Sequence, residues 1–120
     1  MTDVHRIRVF DYNPSPIVST SLLDDILLVA RESGYIEIWS VARFAHCMCS
    51  FVAASHNDIR SIVWLTFRGE KAFAIGTFSG EIVIFNYPSL IIVAQSPSFG
   101  GTIWCAATND EKNLLAIACD

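Results

Sequence analysis

Short apolar runs broken by turn residues set the pattern of this chain, and the clearest lies between Phe73 and Asn86. Phe73–Gly76 is apolar, Ser79-Gly80 marks a tight turn, and Glu81–Phe85 is rich in β-branched and aromatic side chains. That order reads as a β-hairpin. Gly80 can take the positive φ of a two-residue turn without a Cβ penalty. Leu27 to Ser40 repeats the pattern: Gly34 answers Gly80, Ile36 answers Ile82, Ile38 answers Ile84 and Trp39 answers Phe85, at an offset of 46 residues (34 to 80). A third copy opens at Leu115 and the chain stops at Asp120, where the turn glycine is due.

Around these hairpins the chain divides into repeats. Repeat one covers 17–54, with strands predicted at Ile17–Ser21, Leu27–Ala30, Tyr35–Val41 and Met48–Ala53. Repeat two covers 59–97, with strands at Ile59–Leu65, Ala72–Gly76, Glu81–Tyr87 and Leu90–Gln95. A partial repeat three covers 102–120, with a strand at Thr102–Ala107 and a second entered at Leu114. Repeat starts are spaced 42 and 44 residues (17 to 59 to 103). A strand–turn–strand unit at this period, with small residues in one strand and an aromatic ending the next, is the pattern of a WD-repeat β-propeller blade. An unrelated antiparallel sheet with similar hairpins is the alternative. The predicted fold is all-β, about two and a half N-terminal blades of four-stranded antiparallel sheet.

Second strands such as Leu27–Ala30 are apolar at successive positions, which predicts burial on both faces. Ala30, Gly76 and Ala118 fall at equivalent places, where neighbouring blades are expected to approach closely. Val4 to Asp11 alternates Arg6 and Arg8 with Ile7 and Val9, a half-exposed leading strand (4–11) of the kind that closes a propeller ring. Closed propellers have 4–8 blades. The expectation is therefore a piece of a longer propeller, or a chain completed by another polypeptide.

With 52% hydrophobic and 17% charged residues, the chain is not of disordered composition. A net charge of −4 gives no general pull towards nucleic acid or anionic membrane. The N-terminus shows no secretory signal, and apolar runs such as Leu90–Ala94 are too short to span a bilayer. Cys47-Met48-Cys49 lacks a second ligand pair at zinc-finger spacing, and the four cysteines read as reduced thiols of an intracellular chain.

Candidate chemistry is sparse. His5, His46 and His56 accompany no nucleophile signature, and the acid pairs Asp24-Asp25 and Asp110-Glu111 sit in predicted turns. No phosphate-binding glycine motif occurs. The reading is no enzyme, no cofactor, no metal and no small-molecule substrate. WD repeats often carry a His–Ser/Thr–Trp relay anchored by a turn Asp. Here Ser55-His56 and Trp39 stand at relay positions, but Ser33 and Ser79 replace the turn acid and Phe85 replaces the second Trp. His56 then reads as structural, with blade integrity carried by Gly34, Trp39, Gly80 and Trp104 and by apolar packing. Arg6 and Arg8 project from one strand face, where they serve either as solvated surface charges or as contacts for RNA phosphate or a partner.

The opening Val4-His5-Arg6-x-Arg8-x-Phe10-x-Tyr12-x-Pro14-Ser15-x-Ile17 resembles the start of the cirhin family, WD-repeat proteins of the nucleolar small-subunit processome. Leu27-x-Val29-x-Arg31-x-x-Gly34-x-Ile36-Glu37-Ile38, Ser79-Gly80-Glu81-Ile82 and Phe99-Gly100-Gly101-x-Ile103-Trp104 resemble it in order and spacing. The first segment and Phe-Gly-Gly-x-Ile-Trp carry the resemblance, since Gly-Glu-Ile is common to many repeats. It implies two linked propellers in the full protein. It also implies a non-catalytic nucleolar scaffold in the UTP-A subcomplex, with other UTP-A proteins and the pre-ribosomal RNA 5′ external spacer as partners, bound directly or through those proteins. A generic WD-repeat adaptor, such as a ubiquitin ligase receptor, is the rival. Such receptors usually show Trp-Asp-x-Arg, whereas Trp39-Ser40-Val41-Ala42 lacks the acid and Arg43 comes one place late.

Overall fold

In the computed structural model both complete hairpins close at the predicted glycines, Gly34 at φ 94° and Gly80 at φ 91°. The structure describes residues 15–109, 111 and 113–119. The predicted leading strand, with Arg6 and Arg8, lies outside them. Ten strands and no helix form among the described residues.

The first sheet contains β1 (Ile17–Leu23), β2 (Ile26–Arg31), β3 (Tyr35–Ser40) and β4 (His46–Val52). The second contains β5 (Ile59–Phe67), β6 (Glu70–Thr77), β7 (Glu81–Asn86) and β8 (Ile92–Pro97). In each, sequence neighbours pair antiparallel, in the orders β1-β2-β3-β4 and β5-β6-β7-β8. A third sheet pairs β9 (Ile103–Thr108) with β10 (Leu115–Cys119). These are two complete blades and the first half of a third.

The repeat extends to the irregularities. Register slips between Ile17 and Ser19 in β1 and between Ile59 and Ser61 in β5, and between Ile38 and Trp39 in β3 and between Ile84 and Phe85 in β7. Bulges at matching places bend the strands alike.

Blade two is packed on both faces. Phe73, Ile75, Val83 and Phe85 join Ile62 and Trp64 in one buried cluster with Leu28, Ala30, Ile36 and Ile38 of blade one. On the opposite face Val63, Leu65, Ala72 and Ala74 pack with Ile82, Ile84, Ala106 and Leu115, the last two from blade three. The alternation along each strand sends successive side chains into different interfaces. Large groups fill the first. Phe73 stacks on Phe85 at 5.2 Å, Phe51 of blade one meets Phe85 edge-on at 5.5 Å, and Trp64 meets Phe73 and Tyr87 edge-on. Each such pair adds about 0.5–1.5 kcal/mol beyond area burial.

The second interface has a small residue at its closest approach. A Cβ on Gly76 would lie 2.5 Å from Cγ2 of Ile103, which is fully buried. Gly76 thus marks a close approach, and Ala30 at the matching place in blade one is fully buried too. Ala118 is exposed, because no further blade covers β10 among the described residues.

Polar ties also join the blades. Ser19 and Ser21 on β1 accept hydrogen bonds from the backbone N–H groups of Ile62 and Trp64, each at 3.1 Å. The Trp64 indole N–H donates to the Ile26 carbonyl at 3.3 Å. These bonds satisfy donors on the inner edge of β5 that its own sheet leaves free.

The predicted Leu90–Gln95 strand is displaced to Ile92–Pro97. Leu90 takes φ 63° and its N–H donates to the Asn86 carbonyl, so the turn after β7 consumes the first two residues of that apolar run. Apolar character alone does not mark where a turn ends.

Candidate interaction surface

The hairpin turns and the loops preceding each first strand meet at one end of the blades. Gly34 accepts hydrogen bonds from the N–H groups of Ala53 and Ala54, and Gly80 accepts one from Ser98. A Cβ on Gly34 would collide with the Ala54 carbonyl oxygen, and one on Gly80 would lie 2.7 Å from the Gly101 oxygen. Each glycine is therefore needed twice, for its positive φ and for contact with the chain leaving its own blade.

The turn serines are held from the preceding loops. Ser33 N–H donates to Ser15 Oγ at 3.1 Å. In blade two Ser79 donates its N–H to Asp58 Oδ1 at 3.0 Å and its hydroxyl to Oδ2 at 3.3 Å. The acid missing from the turn is supplied by the loop between β4 and β5. His56, two residues earlier, is exposed and lines a shallow cleft with Glu32, Asp58, Arg60, Phe78 and Ser79.

Trp39 hydrogen-bonds inside its own blade. Its indole N–H donates to Glu37 Oε1 at 3.0 Å, and the same oxygen accepts from Arg31 Nη2 at 3.1 Å. Arg31 Nη1 donates to the Ser15 carbonyl at 2.8 Å. Partial desolvation of its sulfur, then the Glu37 carboxylate and Cys49, push the otherwise exposed Cys47 thiol above its ordinary pKa. The four cysteines are free and exposed, and no group of three or more His, Cys, Asp or Glu suited to a metal occurs among the described residues.

Blade two's end carries exposed aromatic groups. Phe78 is half-exposed; the Arg60 guanidinium lies over it at 5.2 Å, and Trp104 meets it edge-on at 6.1 Å. Phe99 is 90% exposed at φ 64°. Phe-Gly-Gly-x-Ile-Trp thus divides its duties. Gly101 packs on Gly80 and Ile103 on Gly76, while Phe99 and Trp104 face outward.

Sequence reasoning missed Phe78, Phe99 and Arg60 as surface features. One readable signal was present: no Asp, Glu, Lys, Arg or His occurs from Ile82 through Asn109.

The sequence and the fold each have counterparts among known proteins. The chain is 35% identical to U3 small nucleolar RNA-associated protein 4 of Schizosaccharomyces pombe, with 98% of this chain and 18% of the relative aligned. The human homolog is 29% identical and that of Saccharomyces cerevisiae 25%, each over 98% of this chain and 17% of its own length. Nearly the whole chain is similar to these proteins. It spans less than a fifth of their length. No family model matches. Among solved structures, BBS1N in complex with ARL6DN superposes with a TM-score of 0.70 at 16% identity, over 89% of this chain and 35% of that one. That likeness concerns the fold alone, which is a partial β-propeller.

Proposed function

We propose that the chain belongs to the U3 small nucleolar RNA-associated protein 4 family, the cirhin family, and forms the first blades of a non-catalytic scaffold. Its setting on this reading is nucleolar pre-ribosomal RNA processing and small-subunit assembly, within the UTP-A subcomplex of the processome. The observation carrying the proposal is the alignment with U3 small nucleolar RNA-associated protein 4 over 98% of the chain at 35% identity. The geometry agrees with a scaffold: blade two is wedged between its neighbours, and exposed groups gather on loops and outer edges, where a rigid propeller meets partners. Partners on this reading are other UTP-A proteins and the 5′ external spacer RNA, reached directly or through those proteins. Arg6 and Arg8 are proposed contacts; Gly34, Trp39, His56, Gly80 and Trp104 are proposed blade residues.

Conditional depletion of the protein, followed by hybridisation to pre-ribosomal RNA, tests the role. Accumulation of unprocessed 5′ spacer species with loss of small subunits is expected. Normal processing after complete depletion would remove the proposal.

A further inference from the structure

We infer that the outer edge of blade two is a docking site for an uncharged, extended strand of a partner protein. The site comprises β8, the residues leading into it and the loop that carries Phe99. This identifies a surface of the proposed scaffold and the chemistry of what it binds, and so rests on that reading.

Three observations meet there. Among the described residues β8 is hydrogen-bonded to β7 alone in its sheet, so its other side presents backbone donors and acceptors. Free strand edges template further pairing, and proteins usually blunt them with Lys, inward charges or Pro. β8 has few of these devices. Pro97 removes one donor at its last position, and the register slip affects only its start, opposite Ile84 and Phe85. Between them Ala94, Gln95 and Ser96 keep a regular ladder.

Second, the flanking side chains are apolar and exposed. Ile91 is 63% and Ile92 49% accessible before the strand and at its start, and Phe99 stands beyond its end. The left-handed backbone at Phe99 is unfavourable for a bulky residue, and its ring contributes little to the fold. An aromatic group presented in this way is a typical anchor of an interface.

Third, charge selects the occupant. No acidic or basic side chain occurs from Ile82 through Asn109. RNA affinity rests on Lys and Arg neutralising phosphates, and this edge has none to offer. Glu81, opposite Pro97, is the one ionisable side chain on the adjoining strand β7, so along Ala94–Ser96 a strongly charged strand would be desolvated without a neighbouring counter-charge. An uncharged strand with apolar groups at alternate positions loses neither and gains main-chain bonds along the edge.

The test replaces Phe99 with p-benzoyl-phenylalanine in the full-length protein and irradiates the native particle. The crosslinked fragment is then mapped by mass spectrometry. The expected adduct is a protein segment lacking charged residues. Its synthetic peptide binds the purified full-length protein and loses roughly tenfold or more in affinity to the Ile91→Lys/Ile92→Lys variant. The neutral Ile92→Ser variant loses less, and unchanged melting temperatures show that both remain folded. An RNA adduct, an adduct to a second copy, a charged segment, no adduct, or peptide binding indifferent to these variants would each overturn the inference. A protein adduct formed while depletion leaves pre-ribosomal RNA processing intact would remove the proposed function and keep the docking edge.

Discussion

Replacing Gly76 with Ala tests how closely blades two and three approach. The added Cβ would lie 2.5 Å from Ile103 Cγ2, 2.9 Å from Ser61 Oγ and 3.2 Å from Ile103 Cβ. Ile103 is fully buried and branched at Cβ, so its methyl cannot swing away cheaply. Overpacking of this kind costs about 1–3 kcal/mol. Loss of glycine freedom in the unfolded chain returns about 0.4–1 kcal/mol, since Gly76 is not among the positive-φ glycines. The net is a destabilisation of roughly 1–2 kcal/mol, a factor of about 5–30 in the local opening equilibrium. Hydrogen exchange of the full-length protein reads this directly, as faster exchange of amides in β5, β6 and β9. The Ile103→Leu change removes the branch at small volume change and costs below about 1.5 kcal/mol alone. Combined with Gly76→Ala it is expected to restore part of the protection, a coupling of about 0.5 kcal/mol or more. Unchanged or slower exchange in Gly76→Ala, or strict additivity of the pair, would refute the close approach.

Four further outcomes follow from the geometry. Gly34→Ala meets both positive φ and a backbone collision and is expected to cost more than Gly69→Ala, where nothing lies within 4 Å; comparative melting of the two variants checks the order. Ser21→Ala leaves the Trp64 N–H without its acceptor and is expected to cost about 1–3 kcal/mol by denaturant titration. Glu37→Gln removes the ion pair with Arg31 while keeping an acceptor for Trp39, and at 13% and 11% side-chain exposure the loss is about 1–3 kcal/mol, below that of a fully buried pair. Alkylation should find Cys47 reacting at higher pH than an unperturbed thiol. Because its folded pKa is raised, the associated stabilisation is present below the unfolded pKa and lost as pH rises through the folded one. A Cys47 reactivity profile at or below that of a free thiol would contradict this.

Much of the fold was written in local sequence. Turn glycines, β-branched runs and doubly apolar second strands depend on near neighbours, and so Gly34, Gly80 and the strands around them were readable. Turn chemistry that depends on distant groups was not. The acid for the Ser79 turn comes from Asp58, 21 residues away, and no spacing rule for a turn acid points there. Leu90 illustrates the same limit, because its left-handed backbone lies inside an apolar run that reads as strand. Outward-facing residues were least legible. Phe99 and Ile103 belong to one motif, yet one is exposed and the other buried, and only the packing of Ile103 on Gly76 separates them.

The most direct test of the account is gentle affinity purification of the tagged full-length protein from its native source, with mass spectrometry and RNA sequencing of the material recovered. The account predicts UTP-A proteins together with 5′ external spacer RNA. Recovery of a ligase or another assembly without pre-ribosomal RNA would contradict it, leaving the propeller blades as described.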